Sequence, residues 1–296
     1  MKKSLKFSGT ICPAITPFNN KNKIDFAAME KHYQMLTDAK INGILVMGTI
    51  GEFATLSINE RLAIIKHAHQ FTHLPLIVNV STTVVDDMIR LADAAYDAGY
   101  PAVMALPHYY LAQTANQLYE YYKYLNSKFL GDWFIYNFPA RTGCDVDAKL
   151  VSKLMVNCPR FIGIKDTIDC ASHTRSIVLA SQAIRNDFSV FAGFDEYFIP
   201  NLLNGGAGVL SGLNNVVPEL FACIVKAFKE NDFKQLQLLQ KEISRLSNIY
   251  NIGDDFVTTI KAAVAEKYGY LAAKSRNFGS DLDSKQIKSV KQLFKL

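Results

Sequence analysis

A chain of 296 residues, 49% of them hydrophobic, can bury a sizeable core, either as one barrel domain with an appendage or as two ordinary domains. The net charge of +5 is modest, with lysines gathered at the two ends (Lys2, Lys3, Lys6; Lys285, Lys288, Lys291, Lys295) and no basic stripe interleaved with aromatics, which argues against nucleic-acid binding. No apolar run approaches a membrane span, no signal-peptide core follows Met1, and the five cysteines (Cys12, Cys144, Cys158, Cys170, Cys223) lack any CxxC spacing, so the expectation is a soluble cytoplasmic protein without a disulfide framework or zinc ribbon.

In chain order the sequence alternates short β-rich runs with longer segments of helical periodicity. A strand over Thr10–Ala14 precedes a helix over Asp25–Ala39, and a strand over Gly43–Met47 precedes a helix over Ile58–Phe71. The pattern continues with strand Leu76–Val80, helix Val84–Ala98, strand Ala102–Leu106, helix Ala115–Lys128, strand Trp133–Tyr136 and helix Asp147–Val156. Strand Phe161–Lys165, helix Ser172–Ala183 and strands Ser189–Ala192 and Gly208–Ser211 complete it. Phrases such as Asp97-Ala98-Gly99-Tyr100 and Asn204-Gly205-Gly206 supply helix-stop glycines before the next strand.

Near-continuous apolar strands joined by helices indicate a parallel sheet covered on both faces. Eight such units favour a closed (β/α)8 TIM barrel over an open doubly wound sheet. After Pro218 the pattern is helical: Glu219–Glu230, Phe233–Tyr250, Asp254–Tyr268 and a closing stretch from Ser284. No linker rich in Pro, Gly or Ser intervenes. The expected organisation is therefore a barrel over residues 1–217 that carries the site, with residues 218–296 as a C-terminal helical extension packed on it.

In such a barrel, chemistry collects at the C-terminal ends of the strands. Lys165 ends the apolar run Phe161-Ile162-Gly163-Ile164-Lys165, a place where an ammonium is costly and a neutral, nucleophilic amine is favoured. Taken alone, the residue reads more readily as a strand-end lysine snorkelling to solvent. Its neighbours at the other strand ends change that reading. Strand two ends in Gly48-Thr49-Ile50-Gly51-Glu52, strand four in Pro107-His108-Tyr109-Tyr110 and strand five in Tyr136-Asn137-Phe138-Pro139-Ala140-Arg141. Strand seven ends in Gly193-Phe194-Asp195 and strand eight in Ser211-Gly212.

A Schiff-base lysine needs a proton shuttle, and the phenol of Tyr136 suits that work. A 2-oxo acid needs its carboxylate held, for which the Thr49 hydroxyl and backbone N–H groups of the Gly48–Gly51 turn are candidates. The planar fork of Arg141 can grip a second carboxylate or hydroxyl acceptors. Other constellations carry less. His67, His69 and His73 fall on or near one helix, and His69/His73 have a metal-clip spacing without a carboxylate partner, so an exposed helix face is expected. Gly205-Gly206-Ala207-Gly208 precedes a strand and is no dinucleotide fingerprint, and no G-x-S-x-G elbow occurs.

Gly48-Thr49-x-Gly51-Glu52, Tyr136-Asn137-x-Pro139 and Gly163-Ile164-Lys165, in that order, make the chain resemble the dihydrodipicolinate synthase/N-acetylneuraminate lyase family of class I, pyruvate-dependent aldolases over essentially its whole length. The resemblance implies a barrel with a helical C-terminal extension, commonly assembled as a homotetramer (a dimer of dimers). It implies that Lys165 condenses with pyruvate or the pyruvyl end of a longer 2-oxo acid, and that Tyr136 shuttles protons. Tyr109 matches the family's second tyrosine, which reaches a neighbouring subunit's site, and Gly193 and Leu210 match positions whose backbone lines the pocket. No metal or organic cofactor is implied, since the lysine imine is the electron sink.

Within the family, dihydrodipicolinate synthases usually carry two successive hydroxyl residues after the first glycine of the turn. Ile50 occupies the second of these positions and relays no proton. Arg141 does match the synthase arginine that binds a substrate carboxylate. The stretches Tyr136–Ala140 and Gly163–Asp169 are more similar to 2-keto-3-deoxygluconate-type aldolases, which reversibly split a 2-keto-3-deoxy sugar acid into pyruvate and an aldehyde. That activity is the leading expectation. Dihydrodipicolinate synthase, N-acetylneuraminate lyase, a hydratase-aldolase and a non-catalytic pyruvate-binding protein are the alternatives.

Overall fold

In the computed structural model, which describes residues 7–277 and 281–296, eight strands follow one another as β1 Gly9–Pro13, β2 Gly43–Val46, β3 Leu76–Asn79, β4 Ala102–Ala105, β5 Asp132–Asn137, β6 Phe161–Asp166, β7 Ser189–Ala192 and β8 Gly208–Leu210. They close in that order into a barrel, with parallel pairing between neighbours. The chain is a (β/α)8 TIM barrel with C-terminal helices, and every expected strand begins within one residue of its predicted start. Apart from Asp132, all strand residues are buried, as the unbroken apolar runs require.

The helices are α1 Phe26–Asp38, α2 Ile58–Ala68, α3 Val85–Asp97, α4 Ala115–Lys128, α5 Pro139–Thr142, α6 Ala148–Asn157, α7 Ala171–Gln182, α8 Phe198–Leu203, α9 Pro218–Lys229, α10 Phe233–Leu246, α11 Phe256–Tyr268 and α12 Ser284–Phe294. Helices α5 and α8 are too short to show a periodicity, which is why the sequence did not reveal them. Local chemistry sets several starts: Ser57 with Glu60, Thr114 with Gln117 and Asp283 with Gln286 form capping boxes. Helix α2 stops at Ala68, three residues before its expected end, so His69 and His73 share no helix face and lose the metal-clip geometry. Helix α10 gives way after Leu246 to a 3-10 turn over Ser247–Asn251.

The chain divides into two compact units, Met1–Gly9 with Pro75–Leu210 and Thr10–Leu74 with Ser211–Leu296. In the first, the inward face of β5 and β6 is built in layers. Phe134 pairs with Gly163, and Tyr136 with Lys165. A Cβ on Gly163 would stand 2.2 Å from the Phe134 ring, so the glycine makes room for that ring. The Phe134 ring in turn meets Phe7 edge-on at 5.4 Å and lies 6.2 Å from Phe191. This apolar layer is the floor beneath Lys165 and Tyr136. On the outer face Trp133 stacks between Tyr122 and Phe161. Gly208 has a φ of +148°, and a Cβ there would collide with the Gly9 carbonyl oxygen, so only glycine fits this approach of β8 to the start of β1.

In the second unit a buried asparagine ties the C-terminal half to β1. Asn215 donates to the carbonyls of Pro13 and Gly212, and its Oδ1 accepts from Ile15 N at 3.0 Å and from His32 Nε2 at 2.9 Å. His32 Nδ1 then accepts from the Tyr270 hydroxyl at 2.7 Å, which fixes a neutral tautomer. Burial pushes His32 down to about 4, against the opposing hydrogen bond to Asn215.

Candidate active site

Lys165 and Tyr136 are direct partners in the β5–β6 ladder, so both side chains project from the same face. Lys165 is 5% exposed and Tyr136 1% exposed. The lysine Nζ lies over the phenol ring, 4.2 Å from its centroid, and the ring stacks with Phe138 at a centroid distance of 5.9 Å. An amine at the end of a fully buried strand, beside a buried phenol, combines a nucleophile with an acid–base group. The snorkelling alternative for Lys165 does not survive this burial.

Four other residues expected at the site, Gly193, Leu210, Tyr109 and Arg141, belong to the same unit. Gly193 follows β7, and its N–H donates to the carbonyl of Asp166 at 2.8 Å, beside Lys165 in the chain. Leu210 closes β8 and is buried. Tyr109 lies half-buried in the loop after β4, ahead of Tyr110, whose φ is +80°. Arg141 sits in the single turn of α5, which begins at Pro139 and stops at Gly143 with φ +68°. Its side chain is exposed and makes no ion pair among the described residues.

Gly48, Thr49 and Ile50 belong to the other unit, in the turn after β2. Gly48 and Ile50 are buried and Thr49 is half-buried. The turn is tight: Glu52 N bonds the Thr49 carbonyl, and both Met47 and Glu52 adopt left-handed φ values of +57° and +55°. Ile50 packs its Cδ1 against Gly212, where a Cβ would stand 2.7 Å away. Glu52 anchors the turn from behind. Its carboxylate is ion-paired with Lys261 Nζ and accepts from Ser275 Oγ at 2.9 Å and from the backbone N–H groups of Arg276 and Asn277. Burial lowers Lys261 to about 8, opposed by the Glu52 charge, so it remains a cation at neutral pH.

Several polar groups at the strand ends escaped the sequence reading. Thr167 extends the ladder by one bond, its N–H to the Asn137 carbonyl at 2.8 Å. Side-chain alternation returns it to the face of Lys165, two residues earlier. Its Oγ1 is buried without a hydrogen-bond partner and fills the space beside Gly193, where a Cβ would come within 2.2 Å. The i, i+2 spacing from Lys165 was the available signal. Behind the ladder, Asn137, Asp145, Asp166, His173 and Thr174 form a polar cluster that no sequence motif announced. Among the described residues, no group of three or more His, Cys, Asp or Glu side chains is placed to hold a metal ion.

The profile of the dihydrodipicolinate synthetase family matches residues 6–295. This chain belongs to that family. Its members are class I aldolase-type lyases that work through a Schiff-base lysine without a cofactor, and the chain is a lyase of this class. It is 31% identical over 258 residues to a protein of Escherichia coli strain K12 named "Probable 2-dehydro-3-deoxy-D-pentonate aldolase YjhH", covering 86% of each chain. It is 28% identical over 289 residues to the 4-hydroxy-tetrahydrodipicolinate synthase of Archaeoglobus fulgidus, covering 98% of each. Among solved structures, YagE, a prophage protein of Escherichia coli K12 from the dihydrodipicolinic acid synthase family, crystallised in complex with pyruvate, superposes with a TM-score of 0.95 at 27% identity over 98% of each chain.

Proposed function

We propose that the chain reversibly cleaves a 2-keto-3-deoxy sugar acid into pyruvate and an aldehyde through an imine on Lys165. The observation that supports this assignment of the lysine is its burial at the end of β6, with Nζ on the Tyr136 ring. In the cleavage direction the neutral amine attacks the C2 ketone, and Tyr136 passes protons as water leaves to give the iminium. A base takes the C4 hydroxyl proton, the C3–C4 bond breaks, and its electrons flow into the iminium as the aldehyde departs. The enamine left on Lys165 takes a proton at C3, and water releases pyruvate and the free lysine.

Thr49 and the N–H groups of the Gly48–Gly51 turn are the proposed holders of the substrate carboxylate. Gly193 and Leu210 supply backbone lining, and Ile50 an apolar wall. Two features favour a sugar acid over aspartate semialdehyde. Ile50 replaces the hydroxyl that a synthase-type relay uses, and the buried Thr167 Oγ1 offers an unfilled bond to a substrate hydroxyl. The naming of YjhH as an aldolase of this substrate class points the same way. The synthase reading has its own support in Arg141 and in the Archaeoglobus fulgidus relative. We propose further that residues 218–296 form an extension to a barrel domain over 1–217, and that the enzyme is a dimer of dimers in which Tyr109 reaches a neighbouring subunit's site.

The deciding experiment is borohydride reduction in the presence of pyruvate, read by intact mass and peptide mapping. A stable pyruvyl adduct on Lys165 alone is expected, and a folded sample without one would overturn the mechanism. Turnover of 2-keto-3-deoxygluconate or 2-keto-3-deoxypentonate then selects the sugar-acid reading, whereas Arg141-dependent turnover of aspartate semialdehyde selects the synthase.

A further inference from the structure

The two faces of the β5–β6 ladder carry different chemistry. Tyr136 and Lys165 pair on one face, and the next pair, Asn137 and Asp166, faces the opposite side because side chains alternate along a strand. On that side four residues close a ring. Asn137 Nδ2 donates to Asp166 Oδ1 at 2.9 Å and to Asp145 Oδ1 at 3.0 Å. His173, from α7, places Nδ1 2.9 Å from Asp166 Oδ2 and Nε2 3.3 Å from Asp145 Oδ2. The Thr174 hydroxyl adds a bond to Asp166 Oδ2 at 2.6 Å, and Asn137 Oδ1 accepts from Val146 N at 3.1 Å.

Nδ1 bonds the Asp166 carboxylate, and Nε2, which makes no hydrogen bond, lies within ion-pair distance of Asp145, surroundings that favour the imidazolium. The carboxylates of Asp145 and then Asp166 raise His173 to about 10, against the effect of burial, so the cation persists across the physiological range. Cys170, at the start of α7, also feels this charge, although its thiol is lowered first by the hydrogen bond to Ser172. The Asp166 side chain is wholly buried, and a carboxylate in such a place without a cation is strongly unfavourable. Along β6 the adjacent cationic side chain is Lys165 itself.

We infer that His173 is a positioning residue for the lyase reaction: it engages the Asp166 carboxylate on the outer face of β5–β6, so that Lys165 stays free of ion pairing on the inner face and in register with Tyr136. The inference rests on the imine reading above. In this arrangement the imidazolium does the neutralising, and Asn137 and Asp145 orient it. Loss of that charge leaves the Asp166 carboxylate uncompensated one residue from Lys165, and its field, acting across the sheet, works against release of the lone pair that attacks the ketone.

The test compares full-length variants by the rate of borohydride trapping with pyruvate and by steady-state cleavage, each normalised to the folded fraction from thermal melts. His173→Gln, which keeps hydrogen bonding and loses the charge, is expected to trap about 10-fold more slowly or worse, with kcat falling and KM moving little. His173→Arg, whose fork can meet two carboxylates, is expected to recover to within about 3-fold of wild type. The double replacement His173→Gln with Asp166→Asn removes both charges and is expected to trap faster than His173→Gln alone. If the single variant does not fold, the double replacement still decides, with trapping within about 10-fold of wild type expected. Equal losses in the Gln and Arg variants, or a double replacement slower than the single, would show a purely structural role and overturn the inference. Absence of a Lys165 adduct in the wild-type enzyme would instead sink the imine reading, and this inference with it.

Discussion

Lys165 Nζ rests on the face of the Tyr136 ring, 4.2 Å from its centre, because the two residues are register partners on adjacent buried strands. The ring positions the amine and the hydroxyl moves protons, so the two contributions are separable. Tyr136→Phe keeps the ring and removes the hydroxyl. Its kcat is expected to fall about 100-fold or more, as for the loss of a general acid–base group, with the melting temperature little changed and the Lys165 adduct still trappable after long incubation. Stopped and steady-state assays on the same preparation check this.

Lys165→Ala should remove all borohydride-trappable pyruvate while the protein stays folded. The apolar layer of Phe134, Phe7 and Phe191 beneath it does not depend on the amine. Intact-mass spectrometry and circular dichroism on the variant test both halves of the statement. Full pyruvate-dependent turnover in this variant would refute the mechanism.

Gly193→Ala tests the proposed backbone lining. The new methyl would stand 2.2 Å from Thr167 Oγ1 and 2.9 Å from Thr167 Cα, so threonine must move. We expect a stability loss of about 1–3 kcal/mol from overpacking. A larger fall in kcat/KM for a hydroxylated sugar acid than in the rate of pyruvate trapping should accompany it. Thr167→Val separates the two effects, since it removes the hydroxyl without adding bulk, and should affect only the sugar-acid substrate.

The acid limb of stability belongs in part to His32. In the folded chain it is held neutral down to about pH 4, whereas an unfolded histidine takes up its proton near 6.5. Between those values the unfolded state binds more protons. His32 therefore costs nothing above pH 6.5 and destabilises increasingly as the pH falls toward 4, by up to ~3 kcal/mol. Urea midpoints across this range should show the slope, and His32→Gln should flatten it.

Glu52 and Lys261 form a buried ion pair behind the turn that carries Thr49. Lys261→Met leaves the Glu52 carboxylate without its cation and should destabilise by about 3–5 kcal/mol. The combination Lys261→Met with Glu52→Gln should cost clearly less than the single change. Denaturant unfolding of the three proteins measures the coupling.

Continuous apolar runs and helix periodicity by themselves determined the barrel, because eight such runs separated by amphipathic segments leave few ways to bury both faces of a sheet. That Lys165 and Tyr136 would come together was legible for the same reason: each stands near the C-terminal end of its strand, and those ends meet on one side of a parallel barrel. Short-range signals failed where an element had no period, as in α5 and α8, and where a helix stopped early, as α2 does before His69. Arg141 shows the limit for a single residue, since its position in the chain said nothing of its exposure. The cluster of Asn137, Asp145, Asp166 and His173, the Glu52–Lys261 pair and the close approach of Thr167 to Gly193 were decided only by the tertiary structure. Each joins residues that are ordinary in their own neighbourhoods, and what sets their chemistry is the loss of water and the opposite charge brought close by packing, which acts across space and leaves no local pattern in the chain.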